Sequence, residues 1–289
     1  MITLNNGTKI AEIGFGSYKV TDDLTGGKSR QVVLDALEVG YRYIDTAAFY
    51  GNEKEIGDAL KMSGLARRDV FLATKVWKTE LGFEKTEKAI QASLEKLQSD
   101  YIDLFLIHWP KETPEDQSWK EKIQGSYAAM EEAYGKGLIL NLGLSNFLPH
   151  HIIALNETAK VKPVLDQLEL HAGHIQYAAV TYLQQINILP QAWSPLGRAR
   201  VFKHPAIVAM AEKYGVTVSD LLLRFLLQQG FSVIPKATSR AHMEGNLHPK
   251  AFTLSESDLW FLKCLPSIGW AGEHPDFERE AVDNRYTEE

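Results

Sequence analysis

Four polar residues of four chemical types stand where apolar runs of this chain break off. They are Asp45 and Tyr50 in YRYIDTAAFYGNE, Lys75 in VFLATKVW and His108 in IDLFLIHWP. A phenol is a weak acid, with an ordinary pKa of about 10. A nearby ammonium favours the phenolate, so Lys75 is expected to lower the pKa of Tyr50. An ammonium in a crevice needs a counter-charge of its own, which Asp45 can supply. His108 adds a donor able to hold and polarise a carbonyl oxygen. Together the four suit the protonation of a carbonyl oxygen while hydride reaches its carbon from elsewhere. Taken singly, each has a plainer use: Asp45 as a helix N-cap, Lys75 as a solvated strand end, His108 as a core histidine, Tyr50 as half-buried packing. Their order, at the ends of successive strand-length runs, is what those uses leave unexplained.

The elements that must position them follow from periodicity. Asn5-Asn6-Gly7 between short alternating runs predicts a hairpin over 3–10. IGFG, YRYID, VFLATKV, IDLFLIH, LILNLGLS, VLDQLEL, ILPQAW and SVIP then read as eight strands separated by helical patterns. One helix starts near Arg30 with Val33, Ala36 and Leu37 on one face, and EKEIGDALK forms a second. Ala89, Ile90, Ser93, Leu94 and Leu97 mark a third; Ile123, Tyr127, Met130 and Tyr134 mark a fourth. Two further patterns span 205–214 and 219–229. Continuous apolar runs imply a parallel sheet covered on both faces. An open doubly wound sheet would place G-x-G-x-x-G after its first strand, whereas IGFGSY offers only GFG. The expected architecture is therefore α/β: a (β/α)8 TIM barrel with a short N-terminal hairpin and extra helices, as one domain over 1–289. In such barrels function gathers at the C-terminal strand ends. Residues 110–122 read as a loop over the mouth, and 272–289 as a C-terminal tail.

Bulk properties narrow the function classes. A net charge of −6 gives no support for binding nucleic acid or an anionic membrane. Cys264 is the only cysteine, which excludes an intrachain disulfide and a thiolate metal cluster and fits a reducing cytosol. The start lacks the basic and long apolar regions of a signal peptide, and no stretch of about 18 apolar residues exists to span a membrane. A cytoplasmic monomer is expected. TGGKS at 25–29 is no P-loop, because Asp22 stands where the first glycine is needed, and it reads as a flexible mouth loop. His150-His151 and His171/His174 lack a third ligand at recognisable spacing, so no metal is expected.

The chain also resembles a known family, the aldo-keto reductases. The resemblance runs through GFGSYKV, GYRYIDTAAFYGNE, TKVW, YIDLFLIHWP, GLSNF, DQLELH, AWSPLG and IPKATSRAHMEGN, essentially end to end. It implies NAD(P)H-dependent reduction of small carbonyl compounds on a barrel, with Tyr50 as general acid and Asp45, Lys75 and His108 in support. By the same resemblance Ser145, Asn146 and Gln167 would hold the nicotinamide carboxamide and Trp193 would stack on its ring. Ser194, Leu196 and Gly197 would meet the pyrophosphate, Lys236 the adenosine 2′-phosphate, and Asn246 the adenine. Tyr18, Phe49, Trp77 and Trp109 would line an apolar substrate pocket. Trp193 with the IDTAAFYGNE and QAWSPLG segments is most similar to the bacterial 2,5-diketo-D-gluconate reductase branch. Two positions depart from the family pattern. Ala237 and His242 replace a serine and an arginine of the 2′-phosphate loop, with Arg240 near enough to compensate; NADP(H) preference with some use of NAD(H) is expected. GWAG at 269–272 brings Trp270 where Gly-Arg-x-Gly is usual, which would close part of the pocket. Two other readings compete: a Schiff-base enzyme using Lys75 as nucleophile, and a cofactor-binding barrel without turnover. The neighbouring Asp45, which keeps lysine charged, argues against the first, and the intact tetrad against the second.

Overall fold

Strand register decides which way each functional side chain points. The computed structural model describes residues 1–282 and 285–287. A hairpin of β1 (Ile2–Thr3) and β2 (Lys9–Ile10) is antiparallel, and eight further strands are all parallel. These are β3 (Phe15–Gly16), β4 (Tyr43–Asp45), β5 (Phe71–Val76), β6 (Leu104–Ile107), β7 (Leu142–Ser145), β8 (Leu165–Glu169), β9 (Leu189–Trp193) and β10 (Ser232–Ile234). They neighbour one another in chain order, and β10 returns to the strand start, where Ile13 bridges Val233 and Gly16 N donates to Pro235 O at 3.1 Å. That closes the barrel. Gly16 makes the closure possible, since a Cβ there would lie 2.6 Å from the Ile234 carbonyl oxygen.

Side chains alternate across a strand, and here both sides are apolar. In β6, Leu104 and Leu106 join a cluster inside the barrel, while Phe105 and Ile107 join the larger cluster between barrel and helices. A continuous apolar run is the consequence. The helices of that outer layer are α1 (Asp22–Thr25), α2 (Ser29–Val39), α3 (Glu53–Met62), α4 (Phe83–Leu97), α5 (Trp119–Gly135), α6 (Pro149–Asn156), α7 (Tyr177–Gln185), α8 (Pro205–Tyr214), α9 (Val218–Leu227), α10 (Arg240–Leu247) and α11 (Glu256–Lys263). Their ends carry ordinary signals. Thr217 and Asp220 form a reciprocal capping box on α9, Pro149 and Pro205 open α6 and α8, and Gly215 ends α8 in a left-handed conformation.

The floor of the barrel is filled by the hairpin. Leu4 and Ile10 pack onto the interior cluster of Tyr43, Leu104, Leu106 and Leu165. Asn5 Nδ2 donates to the carbonyls of Pro163 and Asn187, which precede β8 and β9, and Asn6 reaches Asn141 before β7. Two expectations need correction. The 110–122 segment is helical from Trp119, because the α5 face of Ile123, Tyr127 and Met130 begins there. Tyr134, at the far end of that face, is exposed. The TGGKS segment is partly ordered: the single turn of α1 ends on its Thr25, α2 starts on its Ser29, and Asp22 accepts hydrogen bonds from the amide and hydroxyl of Ser29. Of the tail, Asp283, Asn284, Glu288 and Glu289 lie outside the described residues.

Candidate active site

Tyr43 and Ala73 face the barrel interior, so Asp45 and Lys75, two residues on, face it as well, at the upper rim. The same alternation turns Gln167 and Trp193 inward from β8 and β9. Lys75 Nζ lies 2.8 Å from Asp45 Oδ1 and 2.9 Å from the Thr46 carbonyl, both side chains being almost wholly buried. The second Asp45 oxygen accepts from Gln167 Nε2 at 2.6 Å. Below it Gln167 continues to Gln191, which also accepts from Tyr43 and donates to Ser232. This polar column fixes both partners of the ion pair. Tyr50 ends a short turn (Ala48–Tyr50) after β4, and buried Asn52 locks that turn by bonding Thr46 and the Ser17 and Val20 carbonyls. Lys75 Nζ sits 5.1 Å from the Tyr50 ring centre, and the rings of Tyr50 and His108 are 5.6 Å apart. Asp45, Tyr50 and His108 therefore line one cleft with a volume of about 860 Å³, at the C-terminal ends of the strands, and Lys75 lies buried behind them on Asp45.

The electrostatics differ from the expectation in one respect. Burial pushes the Tyr50 phenol well up, and the Asp45 carboxylate pushes it further; the cation that pulls it back is Arg198. The Lys75 charge is answered by Asp45, and its own pKa is lowered by burial against Asp45's attraction. Tyr50 is thus a held proton at neutral pH rather than a partly ionised phenol. Burial first, and then the Lys75 charge, hold the His108 imidazole well below its ordinary range, so the ring is neutral.

Around these residues the cleft has two kinds of wall. Tyr18, Phe49, Trp77 and Trp109 form an aromatic one, with Phe49 stacked on Trp77 at 3.8 Å and Trp77 edge-on to His108 at 5.1 Å. Ser145, Asn146, Trp193, Ser194, Leu196, Lys236, His242 and Asn246 line the other. Trp193 is set by its Nε1 bond to Asn146 Oδ1 at 2.9 Å, and Asn146, with φ of 61°, also donates to the His108 carbonyl. Ser145 Oγ donates to the Gln167 carbonyl. Gly197 is buried just beneath the lining, against Val201.

Two residues expected at the site lie elsewhere. Arg240 opens α10 on the outside, pairing with Glu38 of α2 and Glu244 one turn on. Trp270 stacks on His174 instead of lining the cleft, because Ala271 N is tied to buried Glu169. The mouth is covered by the segment that follows: Glu273, His274, Pro275, Phe277 and Arg279 line it. Asp276 anchors that segment to His151 at 3.0 Å, His150 at 3.2 Å and Lys111 at 3.4 Å. The two histidines and Asp276 are close enough to hold a metal ion. The His151 tautomer opposes this, since its Nδ1 accepts from Leu148 N–H and a neutral ring then carries its proton on the Nε2 that faces Asp276. Lys19, Arg198, Gln191 and Tyr43 were not singled out from sequence. The last two could have been, since each lies two residues before a selected strand-end residue and so shares its face.

With this geometry in hand, comparison with known proteins is decisive about kinship. The profile of the aldo/keto reductase family matches residues 12–262. Glyoxal reductase of Bacillus subtilis is 36% identical over 275 residues, 95% of this chain and 96% of its own. Among solved structures, MGS-M4, an aldo-keto reductase from a Medee basin deep-sea metagenome library, superposes with a TM-score of 0.85 at 33% identity, over 98% of this chain and 100% of that one. An aldo-keto reductase of Bombyx mori, solved in complex with NADP, gives 0.82 at 30% identity, over 92% and 97%. The chain belongs to the aldo/keto reductase family.

Proposed function

We propose that the protein reduces small aldehydes, dicarbonyls or keto-sugars to alcohols, drawing on NADPH and less readily on NADH. The observation that carries this reading is the meeting of a proton-holding phenol, a neutral imidazole and a buried ion pair at the base of one cleft. Kinship with a glyoxal reductase and with a reductase solved with NADP supports the substrate class and the cofactor. When bound, the reduced nicotinamide supplies hydride to the carbonyl carbon. The cleft fits such a ligand: its volume is about 860 Å³, Trp193 offers a ring face, and the cations Lys19, Arg198 and Lys236 line it without a carboxylate in ion-pair range among the described residues.

Tyr50 donates the proton to the developing alkoxide, and Lys75 stabilises the phenolate left behind. Asp45 keeps Lys75 charged and in place. His108 donates to the same oxygen and orients the carbonyl, while the Phe49, Trp77 and Trp109 wall excludes water. Ser145, Asn146 and Gln167 hold the carboxamide, Ser194, Leu196 and Gly197 the pyrophosphate, Lys236 and His242 the 2′-phosphate, and Asn246 the adenine. The QAWSPLG segment places 2,5-diketo-D-gluconate in the substrate panel. The test is spectrophotometric: oxidation of NADPH and NADH, measured separately, with glyoxal, methylglyoxal, aromatic aldehydes and keto-sugars. Tight dinucleotide binding with no oxidation across the panel would favour a barrel without turnover.

A further inference from the structure

The aromatic wall of the cleft ends in a cation that no carboxylate answers. Lys78 directly follows Trp77, opens the short turn Lys78–Glu80 and lines the cleft, its Nζ 5.8 Å from the Trp77 ring centre. It makes no hydrogen bond and no ion pair among the described residues. Four charged neighbours on the same lining are each engaged: Lys111 with Asp276 at 3.4 Å, Glu112 with Lys122 at 3.2 Å, and Glu273 with Arg279 at 3.6 Å. The turn that carries Lys78 is itself held. Glu80 N donates to Trp77 O at 2.9 Å, Thr86 Oγ1 to Glu80 O at 3.0 Å and Lys85 Nζ to Thr79 O at 3.2 Å. A second observation is the surface between this ammonium and the tetrad. Trp77 stands edge-on to His108 at 5.1 Å and stacks on Phe49, whose ring is left 51% exposed. The two distances from the Trp77 centre put Lys78 Nζ at most about 11 Å from the His108 ring centre. One aryl ring or a short alkyl chain bridges that span once each end reaches out by an ordinary hydrogen bond. Hydroxyls laid along the aromatic pair would leave water without new partners, whereas a flat ring gains contact area and stacking there.

Resting on the reductase reading above, we propose that Lys78 determines specificity by binding an anionic end of the substrate, and that the preferred substrates are aldehydes carrying a carboxylate across an aryl or short apolar spacer. The aldehyde oxygen meets Tyr50 and His108, the spacer lies along Phe49 and Trp77, and the carboxylate meets Nζ. An ammonium is a point charge with three donors on a flexible stem, so carboxylates at somewhat different spacings are served. Glyoxal reaches only the first of these contacts, and a neutral keto-sugar lacks the last.

The experiment is steady-state kinetics of the full chain with NADPH and two aldehydes of the same shape, 4-carboxybenzaldehyde and its neutral methyl ester. Wild type should favour the acid in kcat/KM by about threefold to tenfold, the range between an exposed ion pair and a hydrogen bond to a charged group. The margin should lie in KM and shrink at high salt. Lys78→Met should erase it by raising KM for the acid, Lys78→Arg should keep most of it, and Lys78→Glu should reverse it. A wild type without the margin, or a Lys78→Met variant that retains it, would overturn the proposal. An equal loss of kcat for acid and ester in Lys78→Met would overturn it too, since Lys78 would then only support the wall. If Lys78→Met does not fold, judged by circular dichroism, Lys78→Arg with the wild-type salt series decides. Wild type that oxidises NADPH with neither aldehyde, nor with glyoxal or methylglyoxal, would overturn the reductase reading itself; reduction of acid and ester alike overturns this assignment alone.

Discussion

Replacing Tyr50 by phenylalanine keeps the ring beside His108 and Tyr18 but removes the proton. Loss of a general acid costs about 10²–10⁴ in rate, so kcat of Tyr50→Phe should fall by that order while dinucleotide Kd holds. A kcat near wild type would sink the assignment. At the other end of the cleft, exposed His242 stands on the lining while Arg240 is engaged outside it. Arginine binds phosphate bidentately, which histidine cannot. His242→Arg should therefore raise the NADPH/NADH ratio of kcat/KM, by roughly fivefold to tenfold for one improved charged contact; an unmoved ratio would mean that position 242 does not reach the 2′-phosphate. Residue types told much about this site. The sequence showed an acid, a phenol, an ammonium and an imidazole at strand ends, and the structure brings them to one cleft base. What it hid was who acts on whom. Distance along the chain could not reveal that Asp45 is the counter-charge of Lys75, or that the charge of Arg198, on a later loop, acts on the phenol.

Among the elements, the segment over the mouth hangs on one carboxylate. Asp276 holds His150, His151 and Lys111. Burial opposes its ionisation, but those three neighbours outweigh burial and hold its pKa below the usual range, while burial holds His151 down at about 4. A carboxylate lowered on folding stabilises above its unfolded pKa and loses that contribution as pH falls through the folded one. The anchor is therefore intact at neutral pH and fails only in acid. Asp276→Asn should free the segment, raising substrate KM by roughly threefold to tenfold with little change in kcat, and it should hasten limited proteolysis after residue 272. Equal cleavage in mutant and wild type would show that other contacts suffice. Strands and helices were legible because the β6 run and the α4 face have unmistakable periods. Ends and connections were less so: Trp270 is carried away by a backbone tie to Glu169, a contact between segments that no local pattern announces.

At the scale of the whole molecule, the interior carries a carboxylate that the chemistry does not use and that no cation answers. Asp166 is fully buried on β8; the Phe147 N–H is its nearest polar support, with neither oxygen in good hydrogen-bond geometry. Burial raises its pKa far above that of the unfolded chain. The protonated native form is then increasingly penalised above the unfolded pKa, and stability is lost as pH rises toward the folded value. Asp166→Asn cannot ionise, so its Tm advantage over wild type should widen from pH 5 to pH 9, with a slope of at most about 1.4 kcal/mol per pH unit. A constant difference by calorimetry would show that Asp166 is not strained. The hairpin under the barrel has a consequence for turnover. Leu4 and Ile10 pack the floor, and the cleft lies at the opposite end of the barrel. The column from Asp45 through Gln167 and Gln191 to Ser232 therefore ends in a closed vessel. With Tyr50 as the proposed acid, the phenol would have a single proton to give once ligands fill the neck. On that proposal the site would be reloaded through the same neck it discharges into, so each cycle would clear its product before drawing the next proton from solvent.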